Sequence, residues 1–266
     1  KSSICVGLDP RLNKIPQFIL NKHVEESGET FKAASDAIIE FNKAIIDAVK
    51  DLVPCVKPQI AFYEEFGFPG IYAFQETCAY AKSQGLMVIG DAKRNDIGST
   101  AVSYANAYIG KVDLFGKQTE VFSCDSITVT PYLGFDGIKP FIDQCNKFDK
   151  GIFVLVKTSN PSSGDLQDRV VDNFAPLYEM VGHLVESWGS DEVGESGYSS
   201  IGAVVGATYP SQSKKLRKIM PTSIFLVPGY GAQGATAEDI KSCYNDDGLG
   251  AVVNSSRGII FAYEKN

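Results

Sequence analysis

Eight short apolar runs, separated by longer amphipathic stretches, constrain the fold of this chain more than any other feature of its sequence. The runs predict strands at residues 4–8, 54–61, 86–89, 126–130, 152–156, 201–205, 224–227 and 251–253. Apolar residues at helical spacing predict helices between them at residues 31–52, 72–83, 170–188 and 211–219. Strands that alternate with helices pair in parallel, and strands that are apolar throughout are buried on both faces.

Eight such units in a chain of 266 residues favour a closed α/β barrel, the (β/α)8 TIM barrel, over a doubly wound open sheet. No stretch rich in Pro, Gly or Ser divides the chain, so we expect a single domain over residues 1–266. Residues 191–200 read as a polar insertion before the sixth strand. The chain starts at Lys1 and enters a strand almost at once, which is consistent with a missing short N-terminal piece.

Charge and hydropathy exclude several classes of function. The formal net charge of -7 argues against a protein that binds nucleic acid or a membrane surface, although a local basic site for a small anion remains compatible with it. The apolar runs are far shorter than the ~20 residues of a membrane-spanning helix, and no signal peptide is apparent.

Cysteine and histidine usage argues against a metal site. The six cysteines show no C-x-x-C pairing, and several lie in apolar runs, so we interpret them as buried thiols of a cytoplasmic protein. His23 and His183 are the two histidines, and they are far apart in the sequence. Neither a zinc site nor a histidine-based triad is expected.

The end of the third predicted strand carries alternating charges. Residues 90–96 read Gly-Asp-Ala-Lys-Arg-Asn-Asp and follow the apolar run at 86–89. On a strand with a period of two residues, Asp91 and Lys93 point the same way, and Asp96 falls in the turn just beyond. Acid, base and acid can therefore converge on one small volume, although a solvated strand end would also account for this run alone.

Neighbouring strand ends add partners for these charges. The first strand ends at Asp9, and the second holds Lys57 with Gln59 on the same face. An unpaired ammonium inside a barrel would be costly, so Lys57 implies carboxylates close by, unless its stem extends outward from the strand end. Active sites of such barrels lie at the C-terminal strand ends, where we expect these charges to meet.

Three further strand ends are polar or rich in glycine. Strand five is followed by Lys-Thr-Ser-Asn-Pro at 157–161, whose hydroxyl and amide groups suit the edge of a heterocycle or a sugar. Strands seven and eight lead into Pro-Gly-Tyr-Gly-Ala-Gln-Gly at 228–234 and Asn-Ser-Ser-Arg-Gly at 254–258. Backbone N–H groups of such loops, together with the Arg257 guanidinium, predict a phosphate site.

Taken together, these residues resemble the orotidine 5'-monophosphate decarboxylase family. The likeness rests on Asp-Ala-Lys-Arg-Asn-Asp-Ile-Gly at 91–98, with Lys57 upstream and the run at 228–234 downstream. It extends from Gly-Leu-Asp-Pro at 7–10 to Ser-Arg-Gly at 256–258. The resemblance implies decarboxylation of orotidine 5'-monophosphate to uridine 5'-monophosphate (UMP) without a cofactor, the last step of de novo pyrimidine synthesis, by a homodimer with shared active sites.

The resemblance also implies catalytic roles at matching positions. The catalytic residues that it implies are Lys57, Asp91, Lys93 and Asp96. Lys93 would protonate C6 of the pyrimidine, and Asp96 would reach in from the other subunit.

Further positions are implied to bind the substrate: Asp9, Thr100, Ser159, Gln233, Gly234 and Arg257. Asp9 would bind the ribose hydroxyls, supported by Thr100 of the neighbouring subunit. Ser159 would bond the pyrimidine edge, while Gln233 and Arg257 would hold the phosphate.

Two other functions remain open at this point. A magnesium-dependent 3-keto-gulonate-6-phosphate decarboxylase, or the related hexulose-phosphate synthase, has the same barrel and the same D-x-K-x-x-D spacing. Such an enzyme needs another strand-end carboxylate for its metal, whereas strand two offers Lys57 and Gln59. The second alternative is a barrel that binds pyrimidine nucleotides without catalysis, which would gain nothing from like charges around the base.

Overall fold

A computed structural model describes residues 2–231 and 234–265 of the chain. Within this part, eight parallel strands close a barrel in sequence order, which confirms the predicted fold. The barrel strands are β1 Ile4–Leu8, β2 Cys55–Pro58, β3 Met87–Arg94, β4 Ser126–Val129, β5 Gly151–Lys157, β6 Ser199–Val205, β7 Ser223–Val227 and β8 Ala251–Ser255. Val6 of β1 lies opposite both Val56 and Ser255, and this pairing closes the barrel.

Helices surround the barrel on its outer side. They are α1 Gln17–Ser27, α2 Phe31–Val49, α3 Ala61–Glu64, α4 Gly67–Ser83, α5 Gly98–Tyr108, α6 Phe135–Phe148, α7 Gly164–Gln167, α8 Leu177–Gly189, α9 Pro210–Ile219, α10 Ala237–Ile240 and α11 Arg257–Ile260. A short hairpin pairs Val112–Leu114 with Lys117–Thr119. None of the helices in the described ranges is long and apolar enough to cross a membrane.

Helix α2 shows how the sequence produces this outer layer. The Thr30 side chain accepts a hydrogen bond from the backbone N of Ala33 at 3.2 Å, which caps the first turn. Ala34, Ile38 and Phe41 follow at spacings of four and three residues and are buried, and Ile38 and Phe41 belong to the apolar core between the strands and the helices. Each large apolar side chain buried in this way stabilises the fold by roughly 1.5–3 kcal/mol.

The predicted helix at 170–188 is wrong over its first part. Those residues instead form a small antiparallel hairpin of Val170–Val171 with Ala175–Pro176. Asp172 and Asn173 turn the chain there in the left-handed conformation, with φ of 53° and 55°. Aspartate and asparagine tolerate that conformation, and the tight turn prevents α8 from starting before the proline.

Several strands extend beyond the apolar runs that predict them, among them β3 and β6. β3 continues from the apolar run through Arg94, so Asp91 and Lys93 lie on the strand and Asp96 follows it, as the sequence predicts. β6 begins at Ser199, so the predicted insertion at 191–200 overlaps the start of that strand. In β3 the side chains of Asp91 and Lys93 line a cavity, and in β6 the Ser199 hydroxyl donates to the Gly189 carbonyl at the end of α8.

An apolar layer fills the barrel interior. The side chains of this layer, named the barrel floor below, are Cys5, Cys55, Ile89, Phe153, Val204 and Leu226. A second and larger apolar core lies between the strands and the helices. The barrel floor supports whatever lies at the C-terminal strand ends.

Candidate active site

A cavity of about 440 Å³ opens at the C-terminal end of the barrel, directly above the barrel floor. This volume is within the range of small-molecule sites. The polar side chains that line it belong to Asp9, Lys57, Gln59, Asp91, Lys93, Thr128, Thr158, Ser159, Asn160 and Asn254. Hollows of about 650 and 940 Å³ lie between α1 and α2 and at the N-terminal end of the barrel, away from the end where such barrels hold their chemistry.

Three charged side chains meet in this cavity and form what is called the charged array below: Lys57, Asp91 and Lys93. Asp91 Oδ2 accepts a hydrogen bond from Lys57 Nζ at 2.6 Å, and Asp91 Oδ1 accepts one from Lys93 Nζ at 2.5 Å. The side chains of Lys57 and Asp91 are 7% and 10% exposed, whereas that of Lys93 is 45% exposed. One buried carboxylate thus holds two ammonium groups, and one of them faces the cavity.

The charges in the array stabilise one another against burial. Burial by itself would raise the pKa of Asp91, but the positive charges of Lys57 and Lys93 hold that pKa well below its usual value. Burial would likewise lower the pKa of Lys57, and the carboxylates of Asp91 and Asp9 reverse this and raise it above its usual value. Asp91 is therefore an anion and Lys57 a cation at neutral pH.

Several polar atoms around the cavity have hydrogen-bonding capacity left. Asp9 Oδ1, Asn254 Oδ1 and Ser256 Oγ are buried and have no hydrogen-bond partner among the described residues. Asp9 and Asn254 also line the cavity. Because buried polar atoms in folded proteins are nearly always paired, these oxygens point to a ligand that carries hydroxyl or N–H donors.

The end of β5 is held in place by its neighbours. The backbone N of Thr158 donates to Gln167 Oε1 at 3.0 Å, and Gln167 Nε2 donates to Thr158 Oγ1 at 2.8 Å. A Cβ atom at Gly206 would lie 2.9 Å from Cα of Ser159, so only glycine allows β6 to approach this closely. Ser159 is thereby fixed at the cavity wall.

The donor set does not favour a metal ion. Within residues 2–231 and 234–265, no three His, Cys, Asp or Glu side chains lie close enough together to hold one. Both carboxylate oxygens of Asp91 already accept hydrogen bonds from lysine ammonium groups. A divalent cation at Asp91 would have to displace these two positive charges.

Comparison with known proteins agrees with the residues in the cavity. The model of the family described as "Orotidine 5'-phosphate decarboxylase / HUMPS family" matches residues 2–266. The chain belongs to this family. An orotidine 5'-phosphate decarboxylase of Rhodopirellula baltica is 48% identical over 264 residues, covering 99% of this chain and 85% of the relative.

Other members of the orotidine 5'-phosphate decarboxylase / HUMPS family are similar along the whole chain. A protein of the same name from Caldicellulosiruptor bescii is 45% identical over 265 residues, covering 99% of this chain and 87% of the relative. The solved structure of Leishmania donovani OMP decarboxylase has a TM-score of 0.76 and 33% identity, covering 97% of this chain and 86% of that one.

In this member of the family, four described residues with predicted roles do not line the cavity of their own chain: Asp96, Thr100, Gly234 and Arg257. Asp96 is half-buried, and its Oδ1 accepts a hydrogen bond from the backbone N of Ile97 at 2.8 Å. Thr100 is exposed in the first turn of α5. The convergence of Asp96 with Asp91 and Lys93 within one chain, which the strand period allowed, is not observed.

The predicted phosphate residues are only partly described. Gly234 is exposed in a turn where its backbone N donates to the Gly231 carbonyl at 2.9 Å. Arg257 is exposed at the first residue of α11. Gln233 lies outside the described residues.

Sequence reasoning missed two polar groups near the array. Thr128 interrupts the apolar pattern of β4, and this interruption was the available signal. Asn254 was seen only as part of a polar strand end, although its side chain lines the cavity.

Proposed function

We propose that this chain decarboxylates orotidine 5'-monophosphate to UMP and carbon dioxide, the last step of de novo pyrimidine synthesis. Curated relatives of the chain bear the name of this activity. The observation that carries the proposal is the buried Asp91 carboxylate between the ammonium groups of Lys57 and Lys93. The reaction uses no metal ion and no organic cofactor, because the protein itself supplies a cation and a proton.

Lys93 is the residue to which we assign the proton transfer. Loss of carbon dioxide from C6 leaves an electron pair in an sp² orbital that the pyrimidine ring delocalises poorly. A fixed cation stabilises that charge as it develops, and a proton then neutralises it. The Lys93 ammonium can do both: the bond from C6 to the carboxylate carbon breaks, carbon dioxide leaves, and Nζ gives a proton to C6.

Asp91 serves this step in two ways. Its carboxylate fixes the Lys93 ammonium at 2.5 Å. We also place the substrate carboxylate beside Asp91, where two like charges about 4 Å apart at an effective dielectric constant of about 20 repel by about 4 kcal/mol. Loss of the substrate carboxylate as neutral carbon dioxide relieves that repulsion.

The remaining cavity residues are proposed to bind the nucleotide away from C6. Asp9, whose Oδ1 is unpartnered among the described residues, accepts from the ribose hydroxyls beside Lys57. Ser159 bonds the pyrimidine edge, while Arg257 and Gln233 hold the phosphate. Phosphate contacts remote from the reacting carbon can stabilise a closed state in which the transition state is bound more tightly than the substrate.

We further propose that the active enzyme is a homodimer in which Asp96 and Thr100 complete the partner's site. Exposed apolar side chains beside the ends of β3 and β4 support an interface there. Ile97 is 56% exposed, and Tyr132 is 79% exposed.

The six cysteines are free thiols, which suits the reducing cytoplasm as the compartment.

Mixed dimers test the shared site. Lys93→Ala and Asp96→Ala proteins, each inactive alone, are unfolded and refolded together in equal amounts. If Asp96 acts across the interface, one site in each mixed dimer has both native residues, and about a quarter of the wild-type activity returns. No return of activity in a verified mixed dimer would place Asp96 in its own chain's site or outside catalysis.

The magnesium-dependent alternative is not favoured. It requires carboxylates that are free to bind a cation, and both oxygens of Asp91 are engaged by Lys57 and Lys93. The curated relatives described above are also named for orotidine 5'-phosphate decarboxylation.

Turnover of orotidine 5'-monophosphate, followed through its ultraviolet absorbance, tests the activity directly. We expect turnover that EDTA does not slow, and much poorer turnover of free orotidine because it lacks the phosphate. Inactivation by EDTA that added magnesium reverses would favour the metal-dependent reaction. UMP binding without any turnover would instead favour a binding protein.

A further inference from the structure

The strand that carries the charged array is irregular at that place. Along β3 and β4, Gly90 lies opposite Ile127, yet the next paired residues are Arg94 and Val129. β3 therefore uses two more residues than β4 over this stretch, which is a β-bulge. Within the bulge, Lys93 has a φ of 49°, a left-handed conformation that a lysine keeps only where its surroundings hold it there.

One side chain of β4 bonds the backbone of this bulge. The Thr128 hydroxyl oxygen accepts hydrogen bonds from the backbone N atoms of Ala92 and Lys93, each at 3.0 Å. The same hydroxyl donates to Asp91 Oδ1 at 2.9 Å. A hydroxyl has one proton and two lone pairs, so these three bonds use its whole capacity. Thr128 is 1% exposed, and water does not compete for them.

The next polar residue along the chain, Thr130, also bonds the backbone of β3. Thr130 Oγ1 donates to the backbone carbonyl of Lys93 at 3.2 Å. The Asn95 side-chain amide in turn donates to the carbonyl of Thr130. The backbone of Lys93 is thus held at both its N–H and its carbonyl, and the position of its ammonium depends on this attachment.

We propose that Thr128 is a positioning residue for the decarboxylation. Its hydroxyl fixes the left-handed turn at Lys93 and the orientation of the Asp91 carboxylate, and so places the Lys93 ammonium against C6. This inference rests on the proposed function, since it assigns Thr128 to the array that performs the reaction. Because the hydroxyl has no capacity left, Thr128 serves the rate of the reaction and not the affinity for the nucleotide.

Two substitutions separate the hydroxyl from the shape of the side chain. Thr128→Val keeps the shape and removes the hydroxyl, whereas Thr128→Ser keeps the hydroxyl. We expect Thr128→Val to lower kcat by about 10- to 100-fold, because small displacements of a reacting group have costs of this order. KM and the affinity for UMP should stay within about twofold of wild type, and Thr128→Ser should retain most of kcat.

Ser199→Ala is the matched control. Ser199 Oγ donates to the Gly189 carbonyl and accepts from the backbone N of Ile201, each at 3.0 Å. This hydroxyl is buried at the N-terminal end of the barrel, far from the array. We expect Ser199→Ala to lower the melting temperature, as Thr128→Val does, and to leave kcat unchanged.

The outcomes are distinguishable. Thr128→Val with wild-type kcat, or a rise in KM alone, would overturn the positioning role. Equal losses of kcat in Thr128→Val, Thr128→Ser and Ser199→Ala would also overturn it, since they would reflect general loosening of the fold. Absence of turnover in the wild-type protein would reject the proposed function itself, whereas an active wild type with an equally active Thr128→Val would reject only the role of Thr128.

Discussion

Two lysines of the barrel are buried beside an aspartate, and they differ in almost every other respect. The first is Lys57 of the charged array, 2.6 Å from Asp91. The second is Lys157 at the end of β5, whose Nζ lies 2.8 Å from Asp168 Oδ1. Lys157, with a side chain only 1% exposed, is the more deeply buried of the two.

The difference lies in what surrounds each pair. The Lys157 ammonium sits 4.6 Å from the ring centre of Tyr209, and Asp168 Oδ1 also accepts from Gln212 Nε2 at 3.2 Å. Lys157 does not line the catalytic cavity, whereas in the array Lys93 adds a second positive charge to Asp91 and faces it. A buried ion pair alone therefore does not mark the candidate site. The array differs because it carries one more positive than negative charge and opens on a cavity.

A comparison of Lys93→Ala with Lys157→Met tests most directly whether the two lysines differ in their effect on kcat. We expect Lys93→Ala to lower kcat by about 10⁴-fold or more, since it removes both a proton donor and a fixed cation, while UMP still binds. Lys157→Met should lower stability and leave kcat near wild type. Steady-state kinetics and UMP titration of both variants measure this, and similar losses of kcat would show that the two sites do not differ in function.

Asp168→Asn tests whether the pair of Lys157 and Asp168 contributes to the stability of the fold and not to catalysis. The Lys157 side chain is buried but that of Asp168 is 41% exposed, so solvent screens part of the pair. Loss of the carboxylate therefore costs about 1–2 kcal/mol of unfolding free energy, less than for a fully buried pair. Denaturant unfolding of Asp168→Asn should show this loss, with kcat in the folded protein little changed. Wild-type stability of this variant would mean that the Tyr178 and Tyr209 rings alone satisfy the Lys157 ammonium.

A third cation, Arg257, tests whether any positive charge at this end of the barrel affects the chemical step. We expect Arg257→Ala to weaken binding of UMP by about 10- to 100-fold, the range for a lost hydrogen bond to a charged group. Binding of uridine, which lacks the phosphate, should hardly change. Equal weakening for uridine and UMP would remove Arg257 from the phosphate site.

The pH dependence of stability separates Asp91 from ordinary carboxylates. Because its folded pKa is lowered, Asp91 contributes stability that is complete above its unfolded pKa of about 3.9 and is lost as the pH falls through the folded value. The melting temperature of wild type should exceed that of Asp91→Asn at pH 5–8, and the two should converge in stronger acid. A constant difference down to the lowest pH would contradict the assignment.

The sequence was sufficient to predict the barrel and the heart of its site. Eight apolar strands that alternate with helices favour a closed barrel, and a period of two residues predicts Asp91 and Lys93 on one face of β3. A bulge interrupts that period in the structure, yet both side chains reach the same cavity. Carboxylates close to Lys57 were predicted from the energetic cost of burying an unpaired ammonium group. All three meet as expected, with distances of 2.6 and 2.5 Å to the carboxylate.

Other features depend on contacts between elements and could not be predicted from local patterns. The bulge in β3 is decided by pairing with β4, so the role of the Thr128 hydroxyl becomes visible only in three dimensions. The burial of Lys157 depends on the aromatic rings that α8 and the segment before α9 bring beside it. Asp96 does not line its own chain's cavity, so the role proposed for it requires the proposed homodimer, which local sequence patterns do not encode.

The barrel floor forms the base of the candidate cavity. Its six apolar side chains pack together across the barrel interior, and two of them, Val204 and Leu226, line the base of the cavity. Under the proposed function, substrate enters and both products leave through the opening of this cavity at the C-terminal strand ends. UMP must therefore leave through this opening before the next substrate molecule can bind. The rate of product release then sets an upper limit on kcat, however fast the bond to carbon dioxide breaks.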